Sequence, residues 1–210
     1  MKNVKFIFSF LLIAVILSGS QFYRPNQMTK AYSSSDKRFK FKFLYPSRGW
    51  LLVEDIKQTR LSRFKDLAVL KTQNRVNQLR IATYKGLTSP DAKRVARLLE
   101  AEFTQQEIKH GEQYFKVRDV KMSRAMARRA NANEGWILSL SYYDRREGTL
   151  YSTYYIYYRK VVLPSEKRGK PAMVIGKAYI IRTLMREKDY KRLIKGVLKV
   201  VRSFKFVLRR

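Results

Sequence analysis

The residues able to do chemistry are few and mostly of one kind. Cysteine is absent and His110 is the single histidine. That removes thiol nucleophiles, thiolate metal sites and disulfides, and leaves zinc with too few ligands. His110 stands beside Gly111 at the expected end of a helix, where an imidazolium complements the negative terminus. General-base work needs a partnered, positioned group, and none stands at a recognisable spacing. A Ser-His-Asp arrangement would have to use this same histidine, and no G-x-S-x-G elbow is present. The carboxylate pairs Glu54-Asp55 and Glu100 with Glu102 read as solvated or paired with Arg and Lys, since i and i+2 diverge on a helix. The nine glycines are dispersed, so no phosphate-cradling loop is expected at a strand-to-helix junction. We expect no catalytic set, no cofactor and no metal.

Positive charge is what the sequence holds in excess. Forty-six Lys and Arg oppose sixteen Asp and Glu, a formal charge of +30, and such a surplus favours polyanions or acidic surfaces. Two clusters concentrate it. Lys121, Arg124, Arg128 and Arg129 form the first; Lys191, Arg192, Lys195, Lys199 and Arg202 form the second. Either could hold phosphate, sulfate or carboxylate groups with an affinity that falls as salt rises. Sequence alone leaves open whether the two meet, and the alternative is charge spread evenly for solubility. Tyrosines among basic residues could stack on nucleobases, but strand spacing explains them first, and nucleic acid is not the expected partner.

The elements that must position these groups centre on residues 134–184. Trp136–Tyr143 and Leu150–Arg159 are rich in β-branched and aromatic residues around the polar link Asp144–Gly148, a hairpin pattern. Seven of the fourteen tyrosines fall between Tyr142 and Tyr158. Leu150, Tyr154, Ile156 and Tyr158 alternate with Tyr151, Thr153, Tyr155 and Tyr157, so both faces of this sheet need cover. Ala172–Leu184 is a third strand, reached through a loop from Pro164 to Pro171.

Earlier strands are expected at Phe39–Phe43, Trp50–Val53, Asp66–Lys71 and Gln78–Tyr84, with Tyr45–Gly49 as a turn. Ser89-Pro90-Asp91 predicts a helix start with Ser89 as the capping side chain. Val95, Leu98, Leu99 and Phe103 form the apolar face of that helix, which Gly111 would end. Tyr114–Met122 reads as extended, and Met122–Ala132, without a decisive period, as its continuation toward the hairpin. In Asp189–Ser203, Tyr190, Leu193, Ile194, Val197 and Val201 repeat at helical spacing, with the basic residues on the remaining circumference. Its basic face could rest on an anionic membrane, although the apolar stripe is expected to dock on the sheet. Gly196 within it costs about 1 kcal/mol relative to Ala, which suggests close packing or a locally weak helix.

At the N-terminus Lys2 and Lys5 precede an apolar run, Phe6–Leu17, and the small residues Ser18-Gly19-Ser20. This is a secretory signal pattern, with an uncleaved anchor as the alternative. The expected organisation is a signal peptide at 1–20, a flexible lead-in at 21–37 and a single domain at 38–210. The expected location is therefore periplasmic, envelope-associated or secreted.

Pro46-x-x-Gly49-Trp50 after an opening strand, a mid-chain helix, a long antiparallel meander and a closing Val201-Arg202-Ser203-Phe204-Lys205-Phe206 together resemble the PsbP-like superfamily. That family includes the photosystem II extrinsic protein and the Mog proteins, and the likeness covers residues 38–208. It implies an α+β fold, an α/β/α sandwich with a mostly antiparallel central sheet, a mid-chain helix and a C-terminal helix. It also implies a binding or assembly module, and provides no catalytic residues to carry over. The function expected is that of an exported, non-catalytic binding protein whose basic surface contacts an acidic partner: an envelope polymer, anionic lipid or host polyanion. The alternative is an assembly factor that docks another protein through its sheet, with charge serving solubility alone.

Overall fold

The structure is a computed structural model that describes residues 28–34, 40–46, 48–53, 56, 62–73, 76–86, 88–106, 113–163 and 173–207. The signal pattern, Glu54-Asp55, His110, Gly111 and the loop at 164–171 lie outside the described residues.

A large antiparallel sheet forms the centre. Its strands are β3 (Leu51–Val53), β4 (Phe64–Lys71), β5 (Gln78–Tyr84), β6 (Tyr114–Lys121), β7 (Glu134–Asp144), β8 (Gly148–Leu163) and β9 (Met173–Arg186), in the order β3-β4-β5-β9-β8-β7-β6. The hairpin turn is built by Asp144, whose carboxylate accepts the Arg146 and Glu147 N–H groups at 2.8 and 2.9 Å, and by Gly148 at φ 75°. Gly148 supplies a backbone conformation that a side chain would strain.

Alternation along β8 divides the core as its sequence requires. Leu150, Tyr154, Ile156 and Tyr158 join one apolar cluster, while Tyr155 and Tyr157 join the other. Helix α1 (Ala92–Gln106) covers the first face with Val95, Leu99 and Phe103. Its capping side chain is Asp91, whose carboxylate accepts the Arg94 N–H at 2.8 Å, and Glu134 accepts the Ala92 N–H at 3.1 Å. Ser89 does not cap the helix as expected; it is buried and its N–H donates to the Gly176 carbonyl.

The opposite face carries α2 (Arg124–Arg129), α3 (Glu187–Ser203) and a small sheet of β1 (Met28–Ser33), β2 (Phe41–Pro46) and β10 (Lys205–Phe206), in the order β1-β2-β10. Phe41, Phe43, Phe204 and Phe206 all bury here against Tyr157 and Tyr179. The architecture is thus α+β with helices on both faces of the central sheet.

Three further expectations about the elements need correction. Met28–Ser33, inside the stretch read as a flexible lead-in, is a strand on β2, with Tyr32 packed on Phe41 and Phe43. Tyr45-Pro46, read as part of a turn, closes β2 instead. The chain from 124 to 129 is a helix and not strand; Ser123 caps it by accepting the Met126 N–H, and Ala127 and Ala130 bury beneath it.

Candidate polyanion-binding face

The final helix is fixed at its start by a buried asparagine. The Asn77 amide donates to Asp189 at 2.8 Å, and its carbonyl oxygen accepts the Arg186 N–H at 3.0 Å. That donation holds the Asp189 carboxyl below its usual range, against burial and with help from Arg192. Glu187 and Asp189 also complement the positive helix terminus. Val197, Val200 and Val201 are buried on the sheet, and each fully buried side chain of this size contributes about 1.5–3 kcal/mol. The apolar stripe docks on the core, with Tyr190, Leu193, Ile194 and Leu198 partly buried against it. Lys191, Lys195, Lys199 and Arg202 face outward along the other side, a line of about 16 Å at the helical rise.

Beyond the C-terminus of α3, β10 meets the residues that follow α2. The Phe206 N–H donates to the Ala130 carbonyl at 2.9 Å, and the Asn131 amide donates to the Phe206 carbonyl at 2.8 Å. These two bonds tie the end of the first basic cluster to the end of the second. Arg128, Arg129 and Arg202 are all exposed around the junction. Arg159 lies over the Phe206 ring, 5.6 Å from its centroid, and Lys205 is exposed beside it.

Two tyrosines of β8 are buried on this side of the sheet. The Tyr157 hydroxyl donates to the Val201 carbonyl at 3.2 Å. Burial raises its proton affinity strongly, Tyr155 adds to this, and Arg129 opposes it. Burial likewise pushes Tyr155 up to about 12, with Tyr190 adding and Arg118 and Arg202 opposing. Both rings therefore stay neutral beneath a group of cations contributed by β6, α2 and α3.

Arg129 thus acts on Tyr157 and Arg202 on the neighbouring Tyr155, with Arg124 and Arg128 on the same short helix as Arg129 and Lys191, Arg192, Lys195 and Lys199 along α3. Lys121 departs from this group. It pairs with Trp136, and strand alternation from Asp119, which bonds Trp136 and Arg97, sets it on the α1 side of the sheet. Arg118, Arg159 and Lys205 were not singled out in the sequence. Alternation within Tyr114–Met122 could have marked Arg118; Arg159 and Lys205 depend on long-range placement.

Among the described residues, no three of His, Cys, Asp and Glu gather in a way that could hold a metal, and no helix is long and apolar enough to cross a membrane. The carboxylates that drew notice in the sequence are engaged in structure. Glu100 binds Lys116 at 2.7 Å and Arg97 at 3.2 Å, and Glu102 accepts from Ser62 and the Arg63 N–H.

No family model and no curated protein matches the chain. Among solved structures, it is similar to the solution structure of cyanobacterial PsbP (CyanoP) from Synechocystis sp. PCC 6803, at 14% identity and a TM-score of 0.50, over 85% of this chain and 92% of that one. It also aligns with LpqN, described as involved in cell envelope biogenesis of Mycobacterium tuberculosis, at 11% identity and a TM-score of 0.48, over 85% and 91%. The fold is PsbP-like. At such identity the likeness speaks for architecture alone.

Proposed function

We propose that this PsbP-like chain is an exported, non-catalytic binding protein whose α2–α3 face engages a polyanion. The observation that supports it is the pair of bonds by which Phe206, in the strand after α3, meets Ala130 and Asn131, just after α2. A cationic strip fixed by backbone bonds attracts an extended anionic polymer along its length, whereas scattered surface lysines are screened individually. Export rests on the N-terminal pattern of Lys2, Lys5 and Phe6–Leu17.

The test is retention of the purified domain on heparin, anionic vesicles, an acidic polysaccharide and DNA across a salt series, beside a Lys191→Glu/Lys195→Glu/Lys199→Glu variant. The wild type should bind one class selectively and lose it as salt rises. The variant should keep its circular dichroism and lose retention, with the log-log salt slope reduced by about 2–3 for three lost contacts. Equal retention of variant and wild type would remove α3 from the site.

A further inference from the structure

The outer edge of the large sheet is a surface that the basic face leaves unused. β6 ends the strand order and pairs with β7 alone among the described strands. Phe115, Val117 and Val120 on it are 64%, 57% and 40% exposed, and neighbouring Tyr143 is 61% exposed. Phe115, Ser141, Tyr143, Arg145 and Thr149 line a hollow of about 380 Å³ beside the edge. Edge strands are ordinarily blunted by shortness, proline, cover, a bulge or charged side chains, and β6 relies on the last two. β6 has eight residues and no proline, with one irregularity between Lys116 and Arg118.

The strand is also held in place beforehand. Asp119 accepts the Trp136 indole N–H at 2.6 Å and Arg97 at 2.8 Å, and Lys116 reaches Glu100 at 2.7 Å. β6 is thus fastened to both α1 and β7, so a partner would not have to order it.

We propose that β6 is a docking edge for an extended segment of a partner protein, added as an eighth strand, in which apolar residues alternate with Asp or Glu. Charge selects this occupant. Lys116 and Asp119 are paired within the fold, and Arg118 and Lys121 stand exposed on the strand, with Arg145 at the hollow. A second copy of β6 would bring a strand of the same positive sign, with three cations to one carboxylate, whereas an acidic segment sets carboxylates there. Backbone bonds would supply affinity, and an apolar side chain seated between Phe115 and Tyr143 would supply selectivity. This docking does not require the α2–α3 face to bind anything.

The test is a synthetic peptide of alternating Val and Glu with a central Phe, titrated into the full chain and followed by amide shifts. Its control is the same peptide with Lys for Glu. The acidic peptide should move the amides of β6 and the Tyr143 region and bind at least tenfold more tightly than the control. Phe115→Ala and Val117→Pro should each weaken it at least tenfold, while the α3 triple charge reversal leaves it unchanged. Phe115→Ala trims an exposed ring, so its result stands even where Val117→Pro disturbs folding. Shifts confined to α2 and α3, equal binding of the Lys peptide, no binding, or self-association through β6 in sedimentation would each overturn the proposal.

Discussion

The Tyr157 hydroxyl donates to the Val201 carbonyl, linking the middle of the central sheet to the last turn of α3. The last four carbonyls of a helix have no partner within it, and this one is satisfied from a strand 44 residues earlier. The same contact therefore caps the helix and sets its height above the sheet. Tyr157→Phe should destabilise the domain by about 1 kcal/mol, lowering Tm by about 2–4 °C. An unchanged Tm would mean that the carbonyl finds an equivalent partner.

The buried tyrosines set an alkaline limit. Their folded-state proton affinities lie above the usual phenol value of 10.0. The stability they contribute is complete below that value and is lost as pH rises from 10 through about 12, where Tyr155 ionises. Denaturant midpoints should be flat near neutrality and fall steeply over that window, together with tyrosinate absorbance. Tyr155→Phe should shift the fall upward.

Two glycines should respond to alanine with opposite signs. A Cβ at Gly176 would overlap the Tyr158 hydroxyl and ring, whereas one at Gly196 would meet nothing within 4 Å. Gly176→Ala should cost about 1–3 kcal/mol through overpacking, with partial relief in the Tyr158→Phe background. Gly196→Ala should stabilise α3 by up to about 1 kcal/mol. Equilibrium unfolding in urea measures both.

Asp119 should govern the acid side of the α1–β6 contact. Burial raises its proton affinity, but donation from Trp136 and then Arg97, with Lys116 nearby, holds the carboxyl below 3.8 overall. Its contribution is present above 3.8 and is lost as pH falls through the lower folded-state value. Asp119→Asn should alter Trp136 fluorescence near neutrality and remove the acid transition from it. A transition that persists in the variant would assign it to another carboxylate.

The strands legible in the sequence are those whose own composition declares them. The residues of Gln78–Tyr84 delimit that strand, and the three central strands differ from their sequence patterns only at their ends. Tyrosines at alternate positions of β8 also revealed that both faces are covered. The elements that escaped notice draw their order from elsewhere. Met28–Ser33 has no apolar alternation of its own and becomes a strand by pairing with β2. Arg124–Arg129 is too short for a helical period and forms over Ala127 and Ala130. The basic clusters were visible as composition, but their junction was not. It depends on Phe206 bonding to residues 130 and 131, a separation that no local pattern encodes.

That separation bears on when the charge becomes an array. In a chain emerging from its N-terminus, α2 is a six-residue helix, far below the roughly 12–15 residues that an isolated helix needs. It acquires its tie to α3 only once Phe206 has been made and has folded back onto Ala130. Contacts of such span form late. Until then the arginines and lysines of the two clusters are an unordered series, and their arrangement is a property of the finished fold alone.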